Sequence, residues 1–210
     1  MKNIWKKLRI IFNQKVLLCD LDGTLIVTKS GETFPKDIND WQFKPHIQEA
    51  IQEYNPKYIF IISNQGGIEK GFVDEREFYP KFRRISDEMR TWGDYIVDGT
   101  YCTSNDPENV NRKPNTGMVD FFRTCCVMGY DFDKRHALMI GDASGGSSFS
   151  NSDLLTAKHA GIRYCDVDNF IWAMCPCAVC TVGQCPTDME YPCEARFFKS
   201  DRLKDVIVKP

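Results

Sequence analysis

No stretch of this 210-residue chain approaches the roughly 20 consecutive apolar residues that a membrane helix requires. A secretory signal is missing as well. The opening MKNIWKKLRIIF is basic and partly apolar, but its apolar part is too short and no small-residue cleavage site follows, so an intracellular protein is expected. Charge of one sign is also lacking: 27 Lys+Arg against 29 Asp+Glu leave a formal net charge of -2, which excludes a basic signature over the whole chain. Any site for a polyanion must then be local. There is no internal repeat, and no GxxxxGK[ST] loop occurs, since GDASGGSSF has no lysine; a P-loop kinase activity is therefore excluded. Cysteine is not scarce. Of ten, five fall between Cys175 and Cys193, and the others (Cys19, Cys102, Cys125, Cys126, Cys165) lie in or near apolar stretches, as small buried thiols in a reducing compartment do.

What is present alternates between two periods. Val16 to Cys19, Tyr58 to Ile62, Ala137 to Ile140 and Ile162 to Cys165 are short apolar runs, the pattern of parallel strands covered on both faces, and Asp94 to Thr103 adds a further strand region. Between them Ile47, Ala50, Ile51 and Tyr54 repeat at helical spacing; Asp74 with Glu77 opens a helix in which Pro80 predicts a kink or restart. Thr116 to Met128 reads as a helix with Met118, Phe121, Phe122 and Cys125 inward, closed by Gly129, and Ser152 to Ala160 as one closed by Gly161. Residues 26–43 read as loop. The expectation is α/β: a three-layer, Rossmann-like parallel sheet in residues 16–172, with a basic arm (1–15) and a Cys-rich C-terminal extension (173–210).

The chemistry sits where strands end. Asp20 and Asp22, in VLLCDLDGTL, place two carboxylates in one small volume, which needs either a cation between them or a separate task for each. Phosphoryl transfer supplies both, one carboxylate attacking phosphorus and the other moving protons. Gly23 lets the chain turn so that amides, with Thr24 beyond, face an anion. Ser63 and Asp142 also follow apolar strands, and open α/β sheets bind ligands at that rim. Ser63 with the Asn64 and Gln65 loop can bond phosphate oxygens, while Lys113 and Arg112 can neutralise them. Mg²⁺ suits Asp20, Asp142 and the backbone carbonyl of Asp22.

This arrangement resembles the haloacid dehalogenase superfamily, whose pattern is DxD after strand one, Thr or Ser after strand two, a later Lys, and Asp after strand four. DLDGTLIVTKSGETFPKDINDW, IFIISNQGGIEKG, NRKPNTGM and GDASG with FSNSD are closer still to the 3'-phosphatases of the polynucleotide kinase 3'-phosphatase family, over residues 16 to 171. The resemblance implies Asp20 as nucleophile, Asp22 as general acid/base, Ser63 and Lys113 as phosphate binders, Asp142 as metal ligand and Asp153 in the outer metal shell. It implies a nucleic acid with a 3'-phosphate end as partner in DNA repair. Ser63 stands where those enzymes commonly have Thr, which keeps the hydroxyl.

Spacing bears on substrate size. Asp20 and Ser63 are 43 positions apart and Ser63 and Lys113 50, lengths used up by the elements above, so no large cap fits and a polymer end can enter. Small-molecule phosphatases of the histidinol-phosphate or sugar-phosphate type share such an open form, and a non-catalytic module that binds nucleic-acid ends is a further alternative. The heptose type has a Cys/His zinc loop before Arg-Lys-Pro, whereas YCTSNDPENVNRKP holds only Cys102. Lys29, Lys70 and Arg112 are candidate backbone contacts. In the tail, Cys177, Cys180, Cys185 and Cys193 read either as a structural Zn²⁺ site or as thiols of a reduced extension, one that can dock a protein partner.

Overall fold

Alternation along β1 (Val16–Cys19) sets the architecture, because successive side chains of a strand face opposite ways and all four here are buried. In the computed structural model, which describes residues 14–124, 132–146, 150–174 and 199–210, Leu17 and Cys19 face one apolar layer and Val16 and Leu18 the other. The first layer contains α1 (Ile47–Tyr54), α3 (Glu75–Arg90) and α6 (Val167–Met174); the second contains α4 (Gly117–Thr124) and α5 (Ser152–Ala160). Between the layers, β4 (Tyr58–Asn64), β5 (Ile96–Cys102), β6 (Ala137–Gly141) and β7 (Arg163–Asp166) join β1 in a five-stranded parallel sheet ordered β5-β4-β1-β6-β7. The chain moves outward from β1 through β4 to β5, then returns to build β6 and β7 on the other side, so strand order reverses beside β1. That is where open sheets hold ligands.

Several expectations meet corrections. Residues 26–43 are not all loop: β2 (Ile26–Val27) and β3 (Gln42–Phe43) pair antiparallel. The chain does not restart at Pro80; α3 runs through it, because Phe78, Phe82, Ile85 and Met89 form one stripe whose burial outweighs a missing backbone donor. Asp74 caps that helix by accepting from the Arg76 N–H at 2.9 Å, with no part for Glu77 in a capping box. Phe121 is half exposed, and Val119 takes the inward place beside Met118 and Phe122. Ser63 belongs to β4, two residues longer than its apolar run, paired with Tyr101.

At the end of the chain α7 (Lys199–Val206) packs Leu203, Val206 and Ile207 onto the first layer, and Val208 bridges Tyr164 of β7. Residues 199–210 are thus part of the body rather than a free extension. Most of the basic arm, residues 125–131 with Cys125 and the closing Gly129, and the four cysteines assigned to zinc lie outside the described residues. The described Cys19, Cys102 and Cys165 are buried free thiols. Among the described residues no helix is long and apolar enough to cross a membrane.

The β2–β3 loop is organised by Asp40. Its carboxylate accepts from the Ser30 hydroxyl at 2.6 Å, the Ser30 N–H at 2.8 Å and the Lys36 N–H at 2.9 Å, and these bonds, the Ser30 hydroxyl first, bring it down to about 2. A depressed carboxyl stabilises the loop above its ordinary value near ~3.9 and loses that contribution as pH falls towards the folded value. The Ser30 and Lys36 amide shifts are therefore expected to titrate well below pH 4; a midpoint near 4 would mean that the bonds are not made in solution.

Candidate functional site

Asp20 is the first residue past β1 and still follows the sheet, its N–H donating to the Ile140 carbonyl at 3.1 Å. Its carboxylate therefore stands at the rim where strand order reverses, buried in the fold. Lys113 meets it there. The Lys113 ammonium donates to Asp20 Oδ1 and, at 2.7 Å, to Asp153 Oδ1, with all three side chains almost fully buried. Burial works against the ammonium, but the two carboxylates outweigh it and hold Lys113 charged. Burial raises the Asp20 carboxyl well above its usual range, against the pull of Lys113.

Asn64 explains how a residue 49 positions later in the chain comes to be so placed. Its side-chain amide donates to the Lys113 carbonyl and accepts from the Lys113 N–H, each at 2.9 Å, so the main chain at Lys113 is fastened to the end of β4 beside Ser63. This gives Asn64 a place other than contact with substrate. Arg112, likewise read as a substrate group, turns to the Ser104 carbonyl at 2.7 Å. Thr24 is fully buried, its hydroxyl 3.4 Å from Asp142 Oδ1.

Asp142 leaves β6, and Asp153 comes from the first turn of α5, where Oδ2 accepts the Ala143 N–H at 3.1 Å. Asp20, Asp142 and Asp153 each bring one oxygen to within 4.8 Å of the others. Burial, then the charge of Asp153, raises Asp142. Three carboxylates around one ammonium leave an excess of negative charge, and an all-oxygen donor set is what a hard divalent cation takes. The carboxylate of Asp22 is not among these: it is exposed and accepts from Gln65 Nε2 at 2.6 Å, while the same nitrogen donates to Ser63 Oγ at 2.8 Å.

Neither the anchor at Lys44 nor the close approach of Asp142 to Gly23 showed in the sequence. Lys44 donates to the Gly23 carbonyl at 3.1 Å and pairs with Asp168 at 2.9 Å, holding the turn after Asp22; as a lone loop lysine it carried no signal beyond its charge. Gly23, at φ 78°, is needed for space as well as for conformation, since a Cβ there would fall 2.7 Å from Asp142 Cγ.

Around this rim, residues 21–57 form only the β2–β3 hairpin and α1, and residues 65–112 only α2 (Gly66–Glu69), α3 and β5. Among the described residues no inserted domain covers the carboxylates. Residues 15–171 match the family described as polynucleotide kinase 3 phosphatase. The chain belongs to that family. A 20.8 kDa protein of Autographa californica nuclear polyhedrosis virus is 30% identical over 165 residues, covering 75% of this chain and 85% of the viral one. The bifunctional polynucleotide phosphatase/kinase of Schizosaccharomyces pombe is 33% identical over 155 residues, 72% of this chain but 36% of that enzyme, so the chain spans about a third of it. The D-glycero-beta-D-manno-heptose-1,7-bisphosphate 7-phosphatase of Rhodopseudomonas palustris is 33% identical over 132 residues, 58% of this chain and 67% of that one. In fold, the chain is similar to the D,D-heptose 1,7-bisphosphate phosphatase of B. bronchiseptica crystallised with magnesium and phosphate, at TM-score 0.54 and 21% identity, over 71% of this chain and 78% of that one. The chain is thus a member of a phosphatase family, resembles the 3'-phosphatase of polynucleotide kinase, and shares its fold with haloacid dehalogenase-like phosphatases.

Proposed function

We propose that this chain is a Mg²⁺-dependent polynucleotide 3'-phosphatase that works through an aspartyl-phosphate. The observation that carries the reading is the pairing of Asp20 with Lys113 at a rim that no inserted domain among the described residues covers. Asp20 attacks phosphorus, the bond from phosphorus to the 3'-oxygen breaks, and Asp22 gives its proton to the departing oxygen. Asp22 then takes a proton from water as the water oxygen attacks the same phosphorus, releasing phosphate and restoring the Asp20 carboxylate. Ser63 and Lys113 bind and neutralise the transferring phosphoryl group. Asp20 and Asp142 would hold Mg²⁺, with Asp153 behind them fixing Lys113 and the Ala143 amide; when bound, the ion offsets the charge on the phosphate oxygens.

A polymer substrate is favoured by the open rim and by two aromatic side chains on loops that carry lysines: Phe34, with Lys29 and Lys36, and Phe72, with Lys70. Both rings are about four-fifths exposed, and exposed rings beside cations suit stacked bases and phosphates. The heptose-bisphosphate relative favours a small phosphoester instead, yet the segment before Arg112 holds Asn and Asp turns and no zinc-ligand set beyond Cys102. Phosphate release from a 3'-phosphorylated oligonucleotide with Mg²⁺, set against a heptose bisphosphate and histidinol phosphate, decides between them. The oligonucleotide is expected to give the highest kcat/KM, and Asp20→Asn to lose at least about 10³-fold, the scale of a deleted catalytic group. Equal release by Asp20→Asn, or a preference for either small phosphoester, would reject the proposal.

A further inference from the structure

Gln65 holds an unusual place at this rim. Its main chain is pinned, the N–H donating to the Cys102 carbonyl at 2.7 Å, and its side chain reaches two functional groups at once, Asp22 Oδ2 and Ser63 Oγ. The carboxylate decides which way round the amide lies, since an acceptor facing Asp22 would gain nothing. An amide nitrogen has two hydrogens and donates both, so each bond has a fixed sense. Ser63 Oγ accepts from Gln65 and keeps its own hydrogen for another acceptor. Asp22 Oδ2 accepts from Gln65, which holds that carboxylate in one orientation.

We propose that Gln65 is a positioning residue that sets the hydrogen-bond polarity of the site, turning Ser63 into a donor towards phosphate and holding the Asp22 carboxylate in one orientation for its proton transfers. This rests on the phosphatase reading above. It goes beyond substrate contact: the amide acts through two other side chains, and it serves any phosphoester that enters. A glutamate at this position is nearly isosteric but inverts the pattern, drawing the Ser63 hydrogen to itself and repelling Asp22. A leucine removes both bonds without inverting them.

The two half-reactions separate these effects. With enzyme in excess over p-nitrophenyl phosphate, nitrophenolate reports cleavage of the ester, a step whose good leaving group needs no proton; phosphate release reports hydrolysis of the aspartyl-phosphate, which needs Asp22 as base. Gln65→Leu is expected to slow nitrophenolate release by less than about 5-fold but phosphate release by roughly 10²-fold, the lower end of what a positioned acid/base supplies. Gln65→Glu should slow both, since Ser63 is lost as a donor to phosphate. Saturation with aryl phosphate should stay within about 3-fold of wild type in the leucine variant, because the polarity effect lies in the rate and not in binding. Equal slowing of both steps by both variants, a change in saturation alone, or no change would overturn the assignment. Nitrophenolate release by Asp20→Asn at the wild-type rate would instead show that the phosphatase reading itself is wrong.

Discussion

Lys113→Met should melt about 6–20 °C below the wild-type chain and release phosphate at least about 10³-fold more slowly. The first figure follows from stranding charge: removing one partner of a buried pair costs about 3–5 kcal/mol, and each kcal/mol moves the midpoint of a chain this size by roughly 2–4 °C. Here the loss is doubled in kind, since Asp20 and Asp153 would face each other across the space the ammonium filled. A double variant isolates that cause. Adding Asp153→Asn to Lys113→Met removes one of the two repelling charges, so much of the lost melting temperature should return while activity stays low. Thermal melts with phosphate-release assays on the three proteins test this. A double variant that melts below Lys113→Met would mean that Asp153 stabilises the fold by some route other than its charge.

Gly23→Ala is expected to leave a folded protein whose turnover has fallen by about 10²-fold and whose requirement for divalent cation has risen by about 10-fold. A non-glycine residue held at φ 78° costs roughly 1–2 kcal/mol, too little by itself to unfold a domain. The added methyl acts on the site instead. It would meet the Asp142 carboxylate and push it away from its place beside Asp20 and Asp153. Titrating turnover with Mg²⁺ separates the two parts of the effect: saturating cation should restore part of the rate in the variant. An unchanged cation requirement would show that the close approach of Gly23 and Asp142 is not needed for binding the ion.

How much of this was legible in the residues depended on whether a property was local. The strands were legible because VLLC, YIFII and ALMI are buried on both faces and need no partner to declare themselves. Asp20, Ser63 and Asp142 were legible for the same reason, as each ends or follows such a run, and the helix over 47–54 has its four inward residues at strict helical spacing. What was not legible is set by contacts between distant segments. Pro80 looked like a break because a local rule was applied where sheet packing decides, and Phe121 looked inward because helical spacing cannot say which of two adjacent rings meets the sheet. Asn64 and Gln65 looked like a pair of loop amides with one purpose. The fold gives them two, one holding the main chain at Lys113 and the other holding Asp22 and Ser63.

The reciprocal bonds between Asn64 and Lys113 have a consequence for how this chain can change. Because Lys113 is fastened to the strand that carries Ser63, the ammonium and the hydroxyl keep their separation whatever path the chain takes from β5 to Lys113. The loop at residues 103–112, between β5 and Lys113, leaves the rim end of the sheet and can be lengthened at a small entropic cost, since each doubling of a loop adds only about 0.6 kcal/mol. New contact surface can then be grafted next to the rim without re-solving the geometry of the reaction, which gives a small phosphatase scaffold latitude to take on substrates of different size.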